Sequence, residues 1–324
     1  MLIELSDELA SPGSLDPAMW RHALANLALG HYEGKHFVFG SPRLLAKLCG
    51  AESLDAAVRG RFKEIRERVN DAHGLRGEAR VLLRVHASDS VKVTAEENAK
   101  RTTFNVGLLW FVDSARAQAT RLLAENPKDT ELYALGAQAL VAHQKHQKHR
   151  GVEVKLRLAG GGGGTTDSQL RLLAPEGALL CVVDSDRSHA DASPGDTARA
   201  ARVALVDVRA AGHLAAVELL VCRTIENMLP TTLVLEGLPR TMSASERARY
   251  LDAAKQGMLG GGGFENLKSV CGDKMLATTL ARAKEMSVHD LGKHLFASHA
   301  VKPLWLDLGE RLTHWGLAPK ASHV

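Results

Sequence analysis

Thr120-Arg-Leu-Leu-Ala124, running into Glu125-Asn-Pro-Lys-Asp129, opens the stretch that decides how this chain folds. An amphipathic helix is predicted after Asp129, then a strand over Val152 to Leu158, then five glycines from Gly160 to Gly164. A third strand, Ala178-Leu-Leu-Cys-Val-Val183, delivers Asp184-Ser-Asp186. The pattern puts a glutamate at the end of one buried strand and an Asp-x-Asp pair at the end of another. Carboxylates gathered there raise each other's pKa, so the arrangement is costly unless a cation sits among them. A divalent metal is the simplest remedy, and hard oxygen ligands favour Mg²⁺ or Mn²⁺ over zinc.

Glu125 with Asp129, the helix, the strand, the Gly-rich turn and Asp184-x-Asp186 together resemble the Toprim domain. That domain is the metal-dependent catalytic fold of topoisomerases, bacterial primases and a set of nucleases. A further stretch, Arg223-Thr-Ile-Glu226-Asn-Met-Leu-Pro230, resembles the Arg-x-Ile-Glu-Asn-Tyr-Leu segment of one Toprim nuclease group. That group comprises the overcoming-lysogenization-defect proteins and their phage-defence relatives. The resemblance covers residues 115 to 235 and implies a mostly parallel sheet flanked by helices. It makes Glu125 a metal ligand or general base, and Asp184 and Asp186 metal ligands. Asp129 would bind or orient the metal, with Glu226 as a secondary acid. One departure is Asn126 where the family has glycine; Asn tolerates left-handed backbone, which would preserve the tight turn. Asp113 also ends an apolar run, but it lacks the downstream acid and helix that single out Glu125.

The 324 residues are enough for two or three structural units with a large core. A composition of 45% apolar and 24% charged residues is that of an ordinary globular protein, and the net charge of +4 permits nucleic-acid binding without demanding it. Cys49, Cys181, Cys222 and Cys271 are widely spaced and form no Cys-x-x-Cys pair, so reduced core thiols are expected. The opening Met1-Leu-Ile-Glu-Leu-Ser-Asp-Glu8 is acidic where a signal peptide is basic, and no apolar run reaches membrane-spanning length. A cytoplasmic location without membrane contact is the expectation.

Three regions are predicted: an α-rich N-terminal α+β region of unknown role (1–115), a Toprim-like catalytic domain (116–240) and a helical C-terminal region (241–324). In the first, Pro17 to Leu29 has helical spacing with Asp16 as its cap. Ser41 to Cys49 and Ser53 to Val69 also read as helices, with strands at His36–Phe39 and Arg80–His86. Thr103 to Val112 fits a strand or a helix. Arg59, Arg61, Lys63, Arg66 and Arg68 alternate with Glu64 and Glu67, as on a solvated helix face. Ala201 to Val208 is assigned as a fourth strand, and Leu214 to Arg223 as a helical approach to Glu226. From Ser243 onward the spacing is helical, broken by a second glycine run at Gly260 to Gly263.

Nucleic-acid contacts are expected from Lys145, Lys148 and Arg150, in the tail closing the central helix, and from Arg187. The default reading of that tail is cations at a helix C-terminus, favoured by the helix dipole. Gly160 to Gly164 ends in Thr165-Thr166 rather than Gly-Lys-Ser/Thr, so it is no Walker motif, and any ATPase would be a separate polypeptide. Strand-passage topoisomerases need a tyrosine nucleophile and large extra domains, whereas this short chain has only Tyr32, Tyr133 and Tyr250. The cysteines for a primase zinc module are missing. The resemblance therefore implies a Mg²⁺- or Mn²⁺-dependent nuclease acting on DNA or RNA, a toxic effector in bacterial anti-phage defence. It would act as an oligomer or beside an ATPase subunit. The alternative is a non-catalytic Toprim-like regulatory or structural subunit of a nucleic-acid-associated complex.

Overall fold

The computed structural model describes residues 1–144, 151–259, 263–267 and 274–320. The chain is mixed α/β and contains two parallel sheets in succession, followed by helices that pack back across the second.

The first sheet contains β1 (Leu2–Leu5), β2 (Phe37–Gly40), β3 (Val81–His86), β4 (Thr94–Glu97) and β5 (Thr102–Gly107). Their order is β2-β1-β3-β5-β4, parallel except for the antiparallel edge strand β4. Its helices are α1 (Pro17–Tyr32), α2 (Pro42–Gly50), α3 (Ala56–Glu67) and α4 (Val69–Glu78). Asp16 caps α1 by accepting from the Ala18 and Met19 amides at 2.9 and 2.8 Å, with Pro17 in the first turn. Thr103 to Val112 divides: β5 ends at Gly107, and Leu108–Val112 forms a 3-10 turn.

The second sheet contains β6 (Arg121–Ala124), β8 (Arg157–Gly160), β9 (Leu179–Val183) and β10 (Ala215–Leu219), all parallel in the order β10-β9-β6-β8. Between these strands run α5 (Pro127–Gln144), α6 (Thr166–Leu173) and α7 (Asp196–Ala210). All five residues of β9 are buried because both faces are covered, as expected for an interior parallel strand. Leu180 and Val182 join the large core that includes α5; Leu179, Cys181 and Val183 join a smaller one with α6 and α7.

Two assignments are corrected. Ala201–Val208 lies in helix α7, because its buried residues Ala198, Ala201, Ala204 and Val208 recur every three or four positions. Val203 and Val206, which suggested a strand, are exposed. Leu214 to Arg223 contains strand β10, not a helix: parallel pairing along all five residues with β9 overrides the helix propensity of Ala-Ala-Val-Glu-Leu. The expected strand Val152 to Leu158 also splits. β7 (Val152–Val154) pairs antiparallel with the late strand β11 (Leu317–Pro319), while β8 joins the second sheet.

Helices α8 (Thr231–Gly237), α9 (Ala244–Leu259), α10 (Lys274–Glu285), α11 (Val288–Ala297) and α12 (Lys302–Gly316) follow. Both α11 and α12 pack on α5. Gly136 of α5 makes this close, since a Cβ there would lie 2.2 Å from the fully buried Trp305 ring. Helix α12 also bridges the sheets. Asp307 pairs with Arg80 beside β3 at 3.0 Å and with Arg311 at 3.1 Å, and Arg311 in turn pairs with Glu218 of β10.

Candidate functional site

The strand order of the second sheet creates a crevice. The chain leaves β6 through α5 toward β8 on one side, then returns through α6 to β9 on the other. Loops after β6 and β9 therefore diverge, and the carboxyl ends of adjacent strands at such a switch point are where α/β sheets bind ligands. Glu125 and Asp184 directly follow those two strands, which pair with Ala124 opposite Val182.

After β6 the backbone is held by the glycine loop: the Gly161 amide donates to Ala124 O at 2.6 Å and the Gly163 amide to Glu125 O at 2.9 Å. Asn126 keeps the turn by a different means from the one expected. Among the described residues the only non-glycine with positive φ is Asp186, so Asn126 is not left-handed. Instead its side chain accepts from the Lys128 amide at 3.0 Å, covering a free donor at the start of α5. Asp113 has a similar local task, accepting from the Ala115 amide at 2.9 Å to cap a 3-10 turn.

After β9, Asp184 and Ser185 are buried. The Ser185 hydroxyl donates to Cys222 O at 2.7 Å, and the Ser185 and Asp186 amides donate to Arg223 O at 2.9 and 3.0 Å. These bonds tie the Asp-Ser-Asp turn to the Arg223–Met228 segment. Asp186 has φ +50°, a conformation costly for a residue with a Cβ and retained only where the surroundings enforce it. Gly195 provides room, since a Cβ there would lie 2.7 Å from that of Asp186.

Glu226 sits in the 3-10 turn Ile225–Met228. Thr224 and Asn227 lock that turn: Asn227 Oδ1 accepts from the Thr224 amide at 3.0 Å and its hydroxyl at 3.1 Å. The Trp305 indole donates to Met228 O at 2.6 Å from the far end of the chain. Glu226 is 2% exposed, and both carboxyl oxygens are buried without a hydrogen-bond partner.

Tyr133, one turn beyond Asp129 on α5, lies within the field of several of the acids. Burial first, then the charges of Asp184, Asp129, Cys222 and Glu226, holds its hydroxyl well above the ordinary phenol range. Burial, then Asp184 and Glu226, pushes the Cys222 thiol up to about 12. Asp129, Asp184 and Glu226 thus act on one buried region on the α5 side. Glu125 is not among the charges acting on Tyr133. Its field reaches Cys181, which burial chiefly pushes up to about 12, on the α7 side. Asp186 is exposed beside the pair. Of the basic candidates, Lys145, Lys148 and Arg150 lie outside the described residues. Arg187 lies just past Asp186, its buried Nε without an acceptor.

Among the described residues, no three His, Cys, Asp or Glu side chains form a group able to hold a metal ion. The donor chemistry still fits a hard cation: every candidate offers oxygen, and a buried carboxylate without a partner calls for positive charge. Mg²⁺ takes one or two protein carboxylates and completes its shell with water and phosphate oxygens, so an open set suits it better than a closed cage. Sequence reading missed Tyr133 and Trp305. Tyr133 was visible as the third step of the Glu125, Asp129, Tyr133 spacing; nothing local pointed to Trp305.

No family model and no curated protein matches the sequence. Two solved structures are similar, both of the C-terminal region of the OLD protein of Xanthomonas campestris pv. campestris. One, phased with iodine, has 15% identity and a TM-score of 0.32 over 60% of this chain and 93% of that one. The other, phased with platinum, has 14% identity and a TM-score of 0.28 over 60% and 90%. Likeness at that level does not place this chain in a family, and its own residues must carry the functional reading.

Proposed function

We propose that the chain is a Toprim-type, Mg²⁺- or Mn²⁺-dependent nuclease that hydrolyses phosphodiester bonds. The observation that carries this is Glu226, a carboxylate buried without a hydrogen-bond partner among the described residues, whose charge acts on the same buried Tyr133 as those of Asp184 and Asp129. When bound, the cation supplies charge stabilisation to the scissile phosphate and acidity to a coordinated water. Asp184 and Glu226 would hold it, with Asp129 to orient it and Asp186 as a further ligand. Glu125, at the neighbouring strand tip, accepts the proton of the attacking water. Ser185 fixes the turn, and Arg187 binds a non-bridging phosphate oxygen. A role as a toxic effector in anti-phage defence, paired with an ATPase, extends the same proposal.

The openness of the acid group favours a second reading, a non-catalytic subunit of a nucleic-acid-associated complex. Purified protein incubated with plasmid, linear DNA and tRNA in Mg²⁺, Mn²⁺ or EDTA distinguishes the two. The nuclease reading expects cutting in Mg²⁺ or Mn²⁺, none in EDTA, and none by Asp184→Asn. Absence of cutting under every condition, with co-expressed genomic neighbours included, would favour the scaffold.

A further inference from the structure

In parallel sheets the crossover connections normally carry helices that cover both faces. Between β3 and β5 the connection carries β4 instead, and no helix returns over that half of the first sheet. Strand alternation brings Glu4, Arg84 and Thr103 to this face, and a groove of about 750 Å³ lies over Arg84, Thr103 and Glu96. Arg80, Lys100 and Arg101 line it as well, and Arg76 reaches in from the end of α4 to pair with Glu4 at 2.8 Å.

Apart from Arg80, which pairs with Asp307 and Glu310, four cations (Arg76, Arg84, Lys100 and Arg101) face three carboxylates (Glu4, Glu78 and Glu96). Arg76 and Arg84 share the single carboxylate of Glu4, at 2.8 and 3.1 Å. Among the described residues Arg101 has no carboxylate within ion-pair distance and donates to the carbonyls of Ala79 and Arg76. Burial, then the like charges of Arg76 and Arg84, lowers its pKa, against the opposing charge of Glu4. Arg76 Nε is buried without an acceptor. Lys100 is exposed at the rim, while Glu78 and Glu96 also line the groove, Glu96 accepting from Asn105 at 2.9 Å. Crowded guanidinium groups with a spare donor fit an anion with several oxygens, bound by charge and bidentate hydrogen bonds.

We propose that this groove binds the phosphate backbone of a nucleic acid, as a docking surface separate from the acids at the tips of β6 and β9. The ligand class rests on the nuclease reading; the excess of cations does not. A solvated polar face that binds nothing would be expected to balance its charges, as Arg80 does with Asp307 and Glu310.

The test is fluorescence anisotropy with a short labelled DNA duplex and its single strand, in EDTA, across about 50 to 200 mM salt. Lys100→Glu with Arg101→Gln should weaken binding about tenfold or more and lower the salt slope by about two. Glu96→Lys should tighten binding several-fold, a gain that misfolding cannot produce. Binding unchanged in both variants, or no binding by the wild type, overturns the proposal. Cutting in Mg²⁺ is measured on the same preparations. Groove-dependent binding without cutting refutes the nuclease reading alone, and cutting with both variants binding as wild type refutes the groove alone.

Discussion

The two sheets share a plan and differ in what stands at their tips. Counting parallel strands along the chain, both have the spatial order second, first, third, fourth: β2-β1-β3-β5 and β8-β6-β9-β10. Each therefore has a switch point between its first and third strands. At the first, Asp7 follows β1 in an exposed position and accepts from the hydroxyl of Ser41, which caps α2. At the second, Asp184 and Glu226 are buried, and Glu226 has no hydrogen-bond partner among the described residues. Topology provides the same crevice twice; side chains decide which one can do chemistry.

The contrast breaks if equivalent substitutions at the two tips have equal effects. Glu226→Gln should reduce metal-dependent cutting about a hundredfold, with the rise in melting temperature on adding Mn²⁺ lost in parallel. A variant that keeps both would remove Glu226 from the site. The next largest effect is expected at Gly136. Alanine there gains about 1 kcal/mol of helix propensity, but its methyl meets the Trp305 ring at 2.2 Å. Overpacking of that kind costs about 1–3 kcal/mol, so Gly136→Ala should lower the denaturant midpoint and weaken the Mn²⁺ response.

Gly195→Ala sharpens the comparison at Asp186. The added methyl, 2.7 Å from Asp186 Cβ, should displace that side chain and slow cutting about tenfold, with little change in melting temperature. A normal rate would show that Asp186 is dispensable. The smallest effect is expected at the first tip: Asp7→Asn should leave cutting within about twofold and cost no more than about 1 kcal/mol, the worth of one exposed hydrogen bond. A large loss of activity there would mean that both switch points serve the reaction.

The second sheet was legible where its strands are continuous apolar runs ending in acids, as Leu179–Val183 before Asp184 is. It was not legible where small residues carry the packing. Alanines form the buried stripe of α7, and Ala215 and Ala216 begin β10; alanine suits a helix and is neutral about partners, so only neighbours settle the matter. β1 was passed over because Leu2–Leu5 is too short to show alternation, and its identity comes from pairing with β2 and β3. Among the site residues, sequence order marked the acids but not their facing. That Glu125 acts on Cys181 while Asp184 acts on Tyr133 depends on which side each neighbouring strand residue packs.

The bond from Trp305 to the Met228 carbonyl spans 77 positions of the chain. A polypeptide emerges from the ribosome in order, so Glu125, Asp184 and Glu226 are all synthesised well before the residue that anchors the turn carrying Glu226. Until α12 arrives and seats its indole against Gly136, that turn lacks this anchor. Under the proposed nuclease activity, such timing would be a safeguard written into translation itself: the hazardous part is made early and armed late.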